Sequence, residues 1–211
     1  MATHCLVNFL RRIQIHHRRY CTPRRHFHAI QRLHAAKLFA QSGYPSAKMQ
    51  DIAKACGTSK SALYHYFPAK DDLLFAMLEE HLQEAISLVE ETDLEAKTDG
   101  EQFARFVQRW IQKSAKARRR NMVAMNDVKY LPKSLQKRIV VLEIAATDAI
   151  AARLRRLNST LPKHLYKPYT MLLLGMLNYT DTWFNASGKV KPAELAERIS
   201  RLFLARFVTE R

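Results

Sequence analysis

Glycine is scarce in this chain: 5 in 211 residues. Tight hairpins lean on glycine where φ is positive, and runs that alternate polar with apolar residues are few. A sheet is poorly supported, and an all-α protein is expected. Cysteine is rarer still. Cys5, Cys21 and Cys56 form an odd set of three with no metal-ligand spacing. That argues against a disulfide framework and for a reducing compartment, the cytoplasm. Long apolar runs are missing; none approaches the ~18 residues that span a bilayer, so no membrane partner is expected. Catalytic signatures are missing as well. There is no glycine-rich phosphate loop and no HExxH, and six of the nine histidines crowd among arginines in the first 34 residues. His81 and His164 have no partner at ligand spacing. No enzyme activity, metal or cofactor is expected.

Positive charge is what the chain has in excess. The formal net charge is +16, which calls for an anionic partner such as nucleic acid. No acid precedes Asp51, the stretch 51–100 is acidic on balance, and 101–211 is basic again. That pattern fits a basic reading head, an acidic connector and a basic body. A uniform coat would instead suit the alternative, a non-specific basic nucleic-acid-binding protein. Three divisions are expected: 1–24 as a disordered basic extension, 25–70 as the head and 71–211 as the body. Two roles stay open for the extension, an arm on phosphates or in a minor groove and a dispensable lead-in.

The head centres on MQDIAKACGTSKSALYHYFPAK, residues 49–70. Met49, Ile52, Ala53 and Cys56 fall at i, i+3, i+4 and i+7, one apolar stripe on a short helix. Gly57 suits the left-handed residue that ends it. Thr58 or Ser59 can cap a second helix, which Pro68 stops, with Phe67 already biased out of the α region. Two short helices across a glycine corner make a helix-turn-helix. Leu63 and Phe67 can bury, while Lys60, Ser61, Tyr64 and His65 give one face a cation, a hydroxyl, a phenol and an imidazole. Such a face suits phosphate oxygens and base edges in a major groove.

Residues 35–74, AAKLFAQSGYPSAKMQDIAKACGTSKSALYHYFPAKDDLL, resemble the N-terminal DNA-binding domain of the TetR/AcrR family of transcriptional regulators. Ala36, Phe39, Gly43-Tyr44, Ile52-Ala53, Gly57, Ser59, Leu63-Tyr64, Tyr66-Phe67 and Lys70 carry the likeness. Three positions depart from it. Ala47 stands where the family usually has a capping Thr or Ser, Ala62 replaces a frequent Thr, and Ser61 a frequent Gly. The resemblance implies sequence-specific binding to double-stranded DNA at a palindromic operator. Gln50, Lys60 and Ser61 are the base-edge candidates. Tyr64, His65, Lys48 and Lys70 are expected on phosphates, Lys70 because it resembles the lysine that touches the backbone.

Around this core, periodicity predicts about nine helices. One runs from about His26 to Ser42, with Ala29, Leu33, Ala36, Phe39 and Ala40 inward. Lys70 opens a long connector whose other face is acidic. Further helices are expected over 101–119, 121–130, 134–157, 168–184 and 192–207. The stretch 168–184 is apolar nearly all round, so it needs a cover on every side, and a partner subunit is implied. In the family the last two helices dimerise, which places a homodimer contact on 168–184 and 192–207.

The body has a second likeness. MNDVKYLPKSLQKRI and LLLGMLNYTDTWFNASGKVKPAELAERI resemble a TetR subgroup that controls fatty-acid, steroid or aromatic-acid catabolism and often senses acyl-CoA thioesters. A ligand-responsive repressor is implied, with phenylacetyl-CoA one candidate effector and a neutral lipophilic inducer the other possibility. Arg105, Arg109, Lys113 and Arg118 to Arg120 could meet phosphates. Trp110, Met122, Met125, Leu173, Met176, Leu177 and Tyr179 could surround an apolar tail, and Asn126 and Tyr130 could bind polar groups. A bacterial, nucleoid-associated location follows from the same likeness.

Overall fold

A computed structural model describes residues 22–94 and 97–210; the side chains at 22–29, 93–94, 115–122, 124–125 and 181 fall outside that description. The expectation for the 1–24 extension therefore lies almost wholly outside the described residues. Eight α-helices and no strand are found among them. They are α1 (Thr22–Ser42), α2 (Met49–Ala55), α3 (Lys60–Tyr66), α4 (Lys70–Leu94), α5 (Asp99–Asn126), α6 (Lys133–Leu157), α7 (Tyr166–Trp183) and α8 (Pro192–Phe207). One-turn 3-10 helices at Val128–Tyr130 and Lys163–Leu165 lead into α6 and α7. The all-α expectation holds, with one helix fewer than predicted. The break expected near Arg119–Asn121 is absent, because no glycine or proline interrupts the backbone there and α5 continues to Asn126. α5 starts on a capping box: Thr98 accepts from the Glu101 amide, and Glu101 reaches back to the Thr98 amide.

α1 is rolled relative to the sequence expectation. Leu33 is 66% exposed, whereas Gln31, Ala35, Ala36 and Phe39 are buried. The roll brings Arg32 onto Glu80 of α4 in a two-pronged ion pair, both contacts 2.8 Å. It also buries the Gln31 amide with neither end hydrogen-bonded.

Two apolar cores result. The first joins Phe39, Met49, Ile52, Leu63 and Phe67 of the head to Leu74, Met77, Val123, Leu131 and Ile139. It crosses the expected boundary at 70/71, so head and body share packed side chains. The second fills the body, where Phe103, Phe203 and Phe207 stack in succession at 5.4 and 5.1 Å. Arg153 braces this core from inside. It is 1% exposed, donates to the Gln102 carbonyl at 2.8 Å and the Val89 carbonyl at 2.7 Å, and lies over the Phe106 ring. One guanidinium thus ties α6 to the end of α4 and the start of α5.

Candidate nucleic-acid interface and ligand cavity

The corner between α2 and α3 is built by hydrogen bonds that only glycine permits cheaply. Gly57 sits at φ 63°. Its amide donates to the Lys54 carbonyl, and the Thr58 amide to that of Ala53, the paired bonds of a Schellman ending. Ser59, rather than Thr58, caps α3 and accepts from the Ala62 amide at 3.0 Å. Leu63, wholly buried, and Phe67 anchor α3 to the first core. Burying two such side chains contributes about 3–6 kcal/mol, which fixes the roll of a helix only 7 residues long.

That anchoring turns the polar face outward. Lys60, Ser61, Tyr64 and His65 are all exposed, as are Lys48 and Gln50 at the start of α2. Lys60 lies over the Tyr64 ring at 5.7 Å, and His65 meets the edge of Tyr66 at 5.2 Å. The capping position of α2 falls on Lys48, one residue past the Ala47 of the family comparison, and Lys48 makes no side-chain cap. Six of the seven expected contact residues are thereby exposed on the motif.

Lys70 is the exception. Its ammonium donates to the carbonyls of Tyr44, Pro45 and Ala47 at 2.8, 3.2 and 3.1 Å, and it stands 4.4 Å over the Tyr44 ring. An ammonium has three protons, and all are taken. Lys70 is placed as a brace holding the α1–α2 corner on α4 instead of facing outward.

Tyr44 gathers the joint between head and body. Its hydroxyl donates to Asp71, its ring meets Phe39 edge-on at 5.2 Å, and Tyr130 covers its other side. Burial first, then the hydrogen bond to Asp71 and the charges of Asp71, Asp127 and Asp72, push the phenol well above its ordinary range. Burial also raises the Asp127 carboxyl, against the lowering effect of Lys129.

Below the joint lies a cavity of about 650 Å³, between α4, α5, α6 and α7. Its apolar wall includes Leu78, Leu82, Trp110, Ile139, Ile150 and Leu174. Its polar wall includes His81, Glu143, Asp148, Arg155, Lys163 and Lys167. Of the ligand residues expected from sequence, Trp110 lines it. Leu173 and Leu177 are wholly buried in the second core, Met176 packs against that core, and Tyr179 is 63% exposed. Arg109 pairs with Glu91 at 3.5 Å, Tyr130 stacks on Tyr44, and Asn126 is exposed at the end of α5. The side chains of Met122, Met125 and Arg118 to Arg120 lie outside the described residues. Sequence reasoning missed Arg155, Lys163 and Lys167 because α6 and α7 bring them together across a loop that periodicity does not fold.

An exposed reading helix on a glycine corner, packed on a larger helical body with a ligand-sized cavity, defines a DNA-binding transcription regulator of helix-turn-helix type. The chain belongs to the TetR family of bacterial regulatory proteins: that family's model matches residues 34–77, and the tetracycline-repressor-like C-terminal domain matches 96–207. It is similar to a TetR-family regulator from Bordetella parapertussis, 30% identical over 87% of this chain and 97% of that one, with a TM-score of 0.77. AibR, solved with isovaleryl coenzyme A and operator DNA, shares the fold at 20% identity and TM-score 0.71 over 83% of this chain and 96% of that one. Over 67 residues the chain is 45% identical to the HTH-type regulator YuxN of Bacillus subtilis, a match spanning 32% of this chain and 22% of that relative's length. Among the described residues no helix is long and apolar enough to cross a membrane.

Proposed function

We propose that the chain is one subunit of a homodimeric repressor of the bacterial cytoplasm, which holds a palindromic operator and releases it when an acyl-CoA thioester enters the body. The observation that carries the dimer is an unpartnered apolar face. Leu172, Tyr179 and Trp183 of α7 and Leu202 of α8 are 61%, 63%, 59% and 70% exposed. Leu172, Tyr179 and Trp183 recur at helical spacing on α7, and an exposed apolar face of this kind marks a contact between proteins. Two heads carried about 34–36 Å apart would meet successive major grooves of one duplex face. The effector class is supported by the cavity, by its largely apolar wall, and by a fold-level neighbour that holds isovaleryl coenzyme A.

Sedimentation and mobility shift test the reading together. A dimer that prefers a palindromic operator to scrambled duplex at ordinary salt, and that lets go when an acyl-CoA is added, is the expected result. A monomer, or equal binding to both duplexes, would sink the dimeric operator model and favour a non-specific basic binder. Operator binding that persists with every acyl-CoA would remove the effector class and leave the reader in place.

A further inference from the structure

The charges of the cavity are sorted along its length. Arg155 lies in the last turn of α6, Lys163 in the one-turn helix after it, and Lys167 in the first turn of α7. All three line the cavity, are exposed, and pair with no carboxylate among the described residues. Three cations elsewhere on the body are matched: Arg109 with Glu91, Lys113 with Glu84, Arg156 with Asp99. Arg155 rests over the Tyr166 ring at 5.2 Å, a contact that orients the guanidinium without neutralising it. The acids of the wall stand back from this corner. Asp148 is about two turns earlier on α6 and Glu143 more than three. Away from it the wall is Leu78, Val128 and Ile139, which pack with the first core. Lining positions from Ile139 to Arg155 span roughly 24 Å of helix at 1.5 Å per residue.

The geometry points to an anion subsite: Arg155, Lys163 and Lys167 hold the phosphate-bearing end of a ligand whose apolar part runs into the cavity past Trp110 toward Leu78 and Ile139. This rests on the reading of the cavity as the effector site. Two magnitudes select the ligand class. A cavity of about 650 Å³ falls within the roughly 300–1,000 Å³ of sites that enclose drug-sized ligands. It suits an acyl chain or an arylacyl group, with the phosphates of a thioester at the cations. The second magnitude is charge. One carboxylate leaves most of a triple cation unanswered, whereas a single phosphate monoester brings about −1.5 to −2. A free fatty acid is therefore a poorer match than a phosphorylated amphiphile. The trio takes the role that the family likeness suggested for Arg105, Arg109, Lys113 and Arg118 to Arg120.

Calorimetry on the full chain tests the subsite with four probes of one tail length: dodecanoyl-CoA, dodecyl phosphate, dodecanoate and dodecanol. The variants are the triple change Arg155→Gln, Lys163→Gln, Lys167→Gln and the control pair Arg109→Gln, Lys113→Gln. The triple variant is expected to weaken dodecanoyl-CoA and dodecyl phosphate by about tenfold or more. Dodecanol should change little, and the control pair should bind all probes as the wild type does. Binding of dodecyl phosphate that is lost in the triple variant, with no binding of dodecanoyl-CoA, keeps the subsite and removes the acyl-CoA reading. Equal affinity for dodecanol and dodecyl phosphate, an unchanged triple variant, or no binding by any probe overturns the subsite.

Discussion

Tyr130 stacks on Tyr44 with ring centroids 5.4 Å apart and planes inclined by 20°. The two rings belong to different halves of the molecule. Tyr44 sits in the corner that carries α2, and Tyr130 ends the one-turn helix Val128–Tyr130. Val128, at the start of that same turn, lines the cavity. A stiff single turn therefore touches the ligand space on one side and the reading head on the other, which is the kind of element through which two sites can be coupled.

Tyr130→Ala should separate reading from release. The stack contributes about 0.5–1.5 kcal/mol, so stability falls modestly and operator affinity should stay within about threefold of wild type. The shift in affinity caused by dodecanoyl-CoA should shrink by about fivefold or more, the lower end of ordinary coupling energies. Operator binding by fluorescence anisotropy, with and without the thioester, reads both quantities. A release step of undiminished size would take the stack out of the path.

Lys60 and Lys48 should fail differently. Lys60 is exposed on α3 beside Ser61, where the base-edge contacts are expected; Lys60→Ala should relax sequence preference, at about 1–3 kcal/mol for the base pair concerned. Lys48 precedes α2 and is exposed. Lys48→Ala should weaken all duplexes alike and lower the slope of log K against log salt by about one unit. Competition with single-base operator variants over a salt series distinguishes them, and an exchange of the two phenotypes would reverse the assignment.

Lys70→Ala should act on folding before it acts on DNA. Three corner carbonyls lose their donor, and unsatisfied polar groups cost about 1–3 kcal/mol. In a chain of this size that lowers the melting temperature by roughly 2–4 °C per kcal/mol. Differential scanning fluorimetry of Lys70→Ala beside Lys48→Ala gives the comparison. An unchanged melting temperature with a flattened salt slope would return Lys70 to the phosphates.

The head was legible because its signals are local. Gly57, Ser59 and Pro68 punctuate two short helices within one stretch, and the stripe from Met49 to Cys56 has a single period that fits. The roll of α1 was not legible, since a buried Gln31 and an exposed Leu33 run against hydropathy. The turned α1 is met by the Arg32–Glu80 pair, a contact between residues far apart in the chain. The cavity wall was hidden for the same reason. Leu173 and Leu177 read as candidate ligand contacts because they are apolar, yet apolar residues on α7 divide between core, cavity and open surface. Only the packing of α7 on α5 and α6 decides which is which. Nothing in the spacing of Arg153 marks the carbonyls it meets.

Tyr44 gives the fold an alkaline limit. Its phenol is pushed up in the folded state by burial and by Asp71, so the native chain keeps the proton that the unfolded chain gives up near pH 10. Between the unfolded and folded values the native state binds more protons, and stability must fall as pH rises. Below about pH 10 this contribution is fully present; above it the loss approaches at most about 1.4 kcal/mol per pH unit. Tyr44→Phe removes the titrating group along with the bond to Asp71. The variant should be less stable than wild type at pH 8, and its stability should decline less steeply between pH 10 and 11. Urea unfolding at these three pH values measures the difference, and parallel declines in the two proteins would show that the Tyr44 proton is not what the fold retains.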